Sequence, residues 1–435
     1  MVTAAPRWQN WAGNQTAEPR RVITPRSAGE VAEAVNLATL DGLTVRMIGS
    51  GHSFTPVAVT SGVQLRPDGL RAVRSVDEVA GQVTVEAGCQ LGVLNEYLRD
   101  RGLALQNMGD IQEQTVAGAI QTGTHGTGRD LGGIAAQVTG LELVRADGTL
   151  VSCSADQDAK LFQAARVGLG ALGVLTAVTF QVVPAFLLHA REEPMRWAEV
   201  IARLDELTSE NEHFEFYWFP HTDGCLTKRN NRAAGPAQPL PGWRYRLDDE
   251  FLSNTLFGLT CRVGQRYPGT IPAINGIAAR ALGTRQYTDT SHAVFTSPRR
   301  VRFKEEEYAV PREHLAAVLA ELRGLFARHD WRISFPIEVR VAPPDDIWLS
   351  TAYGRATGYI AIHVFHRAAH EEYFRAVEAV MTAVGGRPHW GKMHTRDADY
   401  LRGVYPRFAD FVALRGELDP ARRFSNPYLN QVLGS

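Results

Sequence analysis

The apolar run Val45-Arg46-Met47-Ile48 passes straight into Gly49-Ser50-Gly51-His52-Ser53-Phe54-Thr55-Pro56, and this junction constrains the fold more than any other stretch. It reads as a short strand ending in a tight turn. Gly49 and Gly51 permit positive φ and a close backbone approach to a ligand. Ser50, Ser53 and the N–H groups between them suit a nest for an anion such as a pyrophosphate. His52 is odd in such a turn, where small residues normally prevail; a capped, solvent-touching side chain is the plainer reading of it. The stretch is not a dinucleotide fingerprint, because Phe54 stands where a third glycine must let helix pack on strand. Asp68 lies in a Pro-Asp-Gly turn, the wrong place for the acidic residue of that motif.

Upstream, Arg21-Val22-Ile23-Thr24-Pro25 reads as a strand stopped by proline. Ser27-Ala28-Gly29-Glu30 is a capping box that opens an amphipathic helix through Val31, Val35 and Leu37. With a strand over residues 44–48 this makes a β-α-β opening. It sets the turn at a strand's carboxyl end, where open α/β sheets bind ligands. Residues 73–76 and 82–87 read as paired strands and 91–99 as a helix. Residues 107–128 then alternate glycine with hydroxyl residues and carry little helix or strand signal beyond 116–120. Loops this long are functional or disordered, and the apolar Val116, Ala117, Ala119 and Ile120 speak against disorder. The threonines and free N–H groups suit a phosphate, a ribose or a polar ring; a glycine-rich hairpin is the bland alternative. A hairpin follows over 138–152, turning at Ala146-Asp147-Gly148. A helix over 158–167 and a glycine break lead to a strand over 175–183, and Pro184 marks a boundary.

Beyond Pro184 the strands lengthen, at 215–219, 304–310, 336–341 and 359–365, with helices at 311–328 and 370–384. Residues 230–245, rich in Pro, Gly and Arg, read as an irregular surface loop. This order implies an antiparallel sheet covered on one face. At 435 residues the chain exceeds one ordinary core. The expectation is an α+β protein: a first domain over 1–184, a cap over 185–390, and a segment over 391–435 that returns to the first domain.

A net charge of −1 gives no case for nucleic acid or an anionic membrane as partner. Cys89, Cys153, Cys225 and Cys261 make no C-x-x-C, which argues against a zinc ribbon and suits a reducing compartment. Residues 1–18 hold no signal-peptide core, and no apolar run reaches the length of a membrane span. A cytoplasmic address follows.

Taken together, the motifs resemble those of the vanillyl-alcohol-oxidase type of flavoproteins, with their PCMH-type FAD-binding domain. The residues that carry the resemblance are Gly49-Ser50-Gly51-His52-Ser53, Asn107-Met108-Gly109-Asp110, Val116-Ala117-Gly118, Gly123-Thr124-His125-Gly126-Thr127-Gly128, Glu338-Val339-Arg340, Ile347-Trp348-Leu349-Ser350 and Pro388-His389-Trp390-Gly391-Lys392. Within that superfamily the chain is similar to the sugar-1,4-lactone oxidases and dehydrogenases (L-gulono-, D-arabinono-, L-galactono-lactone) and to the alditol oxidases. Asp110 replaces an alditol-oxidase serine and Phe365 a threonine, which favours a lactone. Arg302-Phe303-Lys304-Glu305-Glu306-Glu307-Tyr308 and Lys392-Met393-His394-Thr395 also look more like the lactone branch.

The resemblance implies FAD, bound covalently through His52 and held by Gly49, Ser50, Gly51, Ser53, Phe54, Gly109, Asp110, Thr115, Gly118, Thr122, Gly123, Thr124, His125, Gly173 and Val174. It implies a sugar lactone or polyol held by Asp110, Glu338, Arg340, His363, His389 and Lys392, with Glu338, Arg340 and Lys392 catalytic. Glu338 and Arg340, two apart on a strand, share a face; from these two residues alone a structural ion pair or a solvated edge is the better guess. Lys392 offers a cation for the reduced flavin or a substrate oxyanion. His389 and His394 are candidate metal ligands, but no third ligand stands near them in sequence, so no metal is expected. Gly109, with no Cβ, leaves an open path for oxygen to the ring, and hydrogen peroxide is the expected product. A dehydrogenase passing electrons to a cytochrome or quinone, an alditol oxidase, and a non-enzymatic carbohydrate binder are the alternatives.

Overall fold

The structure, a computed structural model, describes residues 7–435. The first six residues, part of the stretch read as lacking a signal peptide, lie outside the described residues. The chain opens as the sequence pattern implies. Strands Arg21–Ile23, Val45–Met47 and Val63–Leu65 form a parallel sheet with Val63–Leu65 at its centre. The helix Ala28–Leu40 packs Val31, Ala34, Val35 and Ala38 against it. Ser27 caps that helix by accepting from the Glu30 N–H, while the Glu30 carboxylate accepts from the Arg26 N–H, one residue earlier than a strict capping box. A second, five-stranded antiparallel sheet contains the hairpin Val138–Val144/Leu150–Ser154 and the pair Val73–Asp77/Gln82–Glu86, joined through Val174–Gln181.

The second domain is built on an eight-stranded, wholly antiparallel sheet. Its central strands His213–Trp218, Ile337–Ala342, Thr357–Phe365 and Phe303–Pro311 alternate sharply, because successive strand residues point to opposite faces. Phe214, Phe216, Ile337, Val339, Ile360, Ile362 and Tyr308 form a core under the helices Leu315–Arg328 and Glu371–Ala383. Glu215, Tyr217, Glu338, Arg340, His363, Glu305 and Glu307 therefore lie on the other face, toward the first domain. Two ties hold this face in place: the Gly128 N–H donates to the Val341 carbonyl, and the Thr127 hydroxyl donates to the Phe214 carbonyl. The helices Ala398–Val404, Phe408–Leu418 and Pro427–Leu433 return to the first domain, where Phe408, Phe411, Leu429 and Val432 join one core with Val83, Leu94, Ile120 and Phe180.

Three regions depart from the sequence reading. Asn230 to Ala233 continue a ten-residue strand, Gly224–Ala233, instead of opening an irregular loop. The stretch Gly242 to Ala281, whose first four residues read as the end of that loop and the rest of which is given no structure above, is mostly helical. Pro311 ends a strand, so the following helix starts only at Leu315. No helix among the described residues is long and apolar enough to cross a membrane.

Candidate active site

The turn after Val45–Met47 opens onto a cleft with some 960 Å³ of non-atom space, counted to its open mouth. Its walls are Gly49–Ser53, the helix Val116–Gln121 with its cap Thr115, and the loop from Leu169 to Leu175. Gly51 takes φ +73°, as expected of the turn, but Gly49 takes no positive φ. Its need is space: a Cβ there would collide with the Thr115 hydroxyl, which caps the helix by accepting from the Gly118 N–H. His52 lies in the cleft wall, stacked on Trp11 with ring centroids 5.7 Å apart, and burial lowers its pKa.

Arg46, the fully buried residue below the turn, also faces this cleft. Its guanidinium donates to four main-chain carbonyls, those of Val57 (2.6 Å), Leu169 (2.7 Å), Gly170 (2.9 Å) and Phe424 (2.9 Å), and has no carboxylate partner among the described residues. Its Nε has no partner among the described residues. Burial, with Arg415 nearby, pulls its pKa down to about 9.

Across from the turn, the polar face of the eight-stranded sheet carries two charge clusters. In the first, Arg340 donates from Nε to Glu215 (2.7 Å) and from its terminal nitrogen to both Asp110 and Glu338. Asp110 also accepts from Arg299 (2.6 Å), and the Tyr217 hydroxyl stands 3.0 Å from Glu338 and 3.2 Å from Glu215. Burial opposes the charge on Asp110, but Arg340 and Arg299 outweigh it and hold the carboxyl well below its usual range. Burial wins at Glu338, whose pKa rises. In the second cluster Glu305 accepts from Lys392 and pairs with His363 Nε2 at 3.4 Å. Burial is again outweighed: Lys392 and His363 bring Glu305 to about 2, and Glu305 and Glu307 raise Lys392. Lys392 sits 5.3 Å above the Phe54 ring, and Phe303 touches Trp11, Phe54 and His363, so the His52 turn adjoins this cluster. The Phe54 N–H donates to the Gly391 carbonyl at 2.7 Å.

His125, Glu307 and His389 converge with their ligating atoms within 4.8 Å of one another. The hydrogen bond at His389 opposes a metal there. His389 Nδ1 accepts from the Gly391 N–H, so its only proton is on Nε2, which could ligate only as an imidazolate. His125 Nδ1 lies 2.9 Å from the Gly126 carbonyl, to which only a protonated nitrogen can bond, and its Nε2 lies 2.9 Å from Glu307. His125, with His389 and Lys392 near it, outweighs burial and holds Glu307 below the ordinary carboxylate range.

Residues 19–154 match the model of an FAD-binding domain, and residues 178–432 match that of D-arabinono-1,4-lactone oxidase. The chain belongs to the D-arabinono-1,4-lactone oxidase family. It is 43% identical to an L-gulono-1,4-lactone dehydrogenase of Mycobacterium tuberculosis over 99% of this chain and all of that one. It is 35% identical to the L-gulonolactone oxidase of Bos taurus over 98% of each chain. A solved structure of a solvent-stable cholesterol oxidase superposes with a TM-score of 0.84 at 20% identity, covering 99% of this chain and 97% of that one, a likeness of fold.

The cleft of this lactone-oxidase-family chain fits FAD. An uncompensated buried guanidinium with an orphaned nitrogen suits a diphosphate, and the glycine-lined walls leave room that side chains would fill. Of the residues assigned to the cofactor from sequence, Gly49, Ser50, Gly51, His52, Ser53, Thr115, Gly118, Thr122, Gly173 and Val174 line the cleft. Phe54, Gly109, Asp110, Gly123, Thr124 and His125 do not. Gly109 has an ordinary φ, and a Cβ there would lie 2.9 Å from the His125 carbonyl, so close backbone contact explains the glycine. Asp110 belongs with Arg340. His363 and Lys392 meet at Glu305, while His389 stands by His125 and Glu307. Sequence reading assigned no site role to Arg46, Glu215, Tyr217, Arg299, Glu305 or Glu307. The one available signal was alternation: Glu305 and Glu307 are two apart in a strand, like Glu338 and Arg340.

Proposed function

We propose that this protein oxidises a hydroxyl of an aldono-1,4-lactone, with FAD linked covalently through His52 and oxygen as acceptor, giving hydrogen peroxide. On this reading residues 1–184 form the flavin domain, 185–390 the cap and 391–435 the return segment. The observation that carries it is the charged sheet face, with Arg340 between Glu338 and Asp110 and Lys392 beside the His52 turn. A buried array of this kind is costly unless it is paired and used.

Bound FAD supplies the acceptor for the hydride lost from the substrate carbon. The chain's own residues do the rest. Arg340 and Asp110 hold hydroxyls of the ring through charge-assisted hydrogen bonds. Glu338, made more basic by burial, accepts the proton of the reacting hydroxyl as the carbonyl forms. Lys392, kept cationic by Glu305, stabilises negative charge that develops nearby. His52, which burial keeps neutral, has a free ring nitrogen for the flavin bond. The four cysteines are free and buried, in keeping with a cytoplasmic address.

The test is oxygen uptake over a panel of aldonolactones and alditols, with a cytochrome or dye as competing acceptor. Lactones should be turned over fastest, with peroxide formed. Acid-precipitated protein should keep its flavin fluorescence, and His52→Ala should release it. Faster alditol turnover, or reduced flavin that persists in air while the dye reoxidises it, overturns the substrate or the acceptor; free flavin in the wild-type supernatant overturns the link.

A further inference from the structure

The helical excursion from Gly242 to Ala281 is built inside out. Its long helix, Arg246–Leu256 continued by Phe257–Arg266, buries Asn254, Gly258, Cys261 and Gly264. The small residues let it lie close: a Cβ on Gly258 would meet Val301 at 3.3 Å, and one on Gly264 would meet Ile271 at 2.8 Å. The large apolar side chains point the other way. Leu247, Leu252, Leu256, Leu259 and Val263 recur at one-turn spacing along the solvent side, Leu259 being 53% exposed. Of the fifteen large hydrophobic residues exposed among the described residues, ten fall between Trp243 and Ile277. A single continuous stripe of this kind marks an interaction surface.

Its charges say what covers it. The only acidic residues between 242 and 284 are Asp248, Asp249 and Glu250. All three are half-buried and paired, with Arg244, Arg285 and Arg300. Arg246, Arg262, Arg266 and Arg280 are exposed and form no ion pair among the described residues. The outward face is thus apolar with arginine flanks and no free carboxylate. Trp243 and Tyr245 stand at one end and Tyr267 at the other, the amphipathic aromatics suited to a headgroup layer. A two-fold contact with a second copy would set these arginines against their own counterparts.

We propose that this excursion docks the protein on an anionic lipid surface, with the Leu247–Val263 stripe in the headgroup–acyl boundary and the arginines on lipid phosphates and carboxylates. A helix about twenty residues long, apolar on one face and basic at its flanks, binds in this way without spanning. The whole-chain charge of −1 conceals the patch, because the acids that balance it lie elsewhere.

The test uses the full-length, flavin-loaded protein and sucrose-loaded vesicles, of phosphatidylcholine alone or with about a third phosphatidylserine. We expect sedimentation with the anionic vesicles, weakened by salt. Arg262→Gln with Arg266→Gln should lower partitioning about 25-fold, at roughly fivefold per charge. Leu252→Ser with Leu256→Ser should abolish it. Both double variants should keep the wild-type fold and lactone turnover, since the altered side chains are exposed and lie outside the site. Absence of binding to either vesicle type, or unchanged binding by the leucine variant, overturns the proposal. So does a wild-type dimer in solution that the leucine variant converts to monomer, which would assign the stripe to a second copy.

Discussion

His394 is a residue at which acid should be felt, and its contribution can be isolated. Its Nδ1 accepts from the Arg396 N–H at 3.2 Å, so the ring's one proton sits on Nε2, 2.9 Å from the Tyr428 hydroxyl. That hydroxyl in turn donates to the Trp390 carbonyl. A second proton would have to enter at Nδ1, facing an N–H, in a half-buried site. Burial accordingly lowers the pKa from 6.5 to about 4. The unfolded chain takes up this proton below pH 6.5 and the native protein does not, so stability is lost as pH falls from 6.5 toward 4. One proton is worth about 1.4 kcal/mol per pH unit, or roughly 3.4 kcal/mol across the window. Other groups titrate alongside; Glu306, pushed up by burial and by Glu378, works in the opposite direction. The measurement is therefore a difference. Urea unfolding followed by tryptophan fluorescence at several pH values should show His394→Gln less stable than wild type at pH 7. The gap should close steadily, or reverse, by pH 4.5. Two curves that run parallel through this range would refute the assignment of a neutral, proton-excluding His394.

Arg340→Gln leaves Glu338 without its cation and takes one from each of Glu215 and Asp110, and should cost about 3–5 kcal/mol of stability as well as turnover, whereas Glu338→Gln should abolish turnover with a nearly unchanged melting temperature; calorimetry and steady-state rates separate the two. In a His52→Ala background, Arg46→Gln should weaken flavin binding on titration by tenfold or more, the loss of one charge-assisted contact. Gly109→Ala should slow reoxidation by oxygen more than reduction by substrate in stopped-flow traces, because its Cβ must displace the His125 carbonyl beside the site.

Much of the frame is legible in the residues because local rules decide it. The strand–turn at Val45 to Ser53, the capped helix after Ser27 and the hairpin around Asp147 all follow from side-chain period and turn chemistry. The central cap strands are legible for the same reason: apolar and charged residues alternate without interruption. What was not legible depends on approach between distant segments. Gly49 reads as a conformational glycine, yet it is required by Thr115, 66 residues away. Arg46 reads as a break in an apolar strand, yet it gathers carbonyls from three separate loops. Gly242 to Ala281 hid its helices because the apolar residues on its long helix face solvent, so the usual link between hydrophobic period and burial is reversed there.

The shared core of the first domain also sets an order of assembly. Strands and helices from the first 180 residues pack directly on Trp390, Phe411, Leu429 and Val432, and Phe424 supplies both a wall of the cleft and a carbonyl for Arg46. Synthesis runs through the whole eight-stranded sheet before these residues exist. During translation the first domain therefore waits, with apolar surface uncovered, while the later one can complete its own core. Cofactor capture becomes a late event in the protein's biogenesis, and a nascent chain halted within the cap holds every motif of the flavin turn but not the cavity those motifs are meant to line.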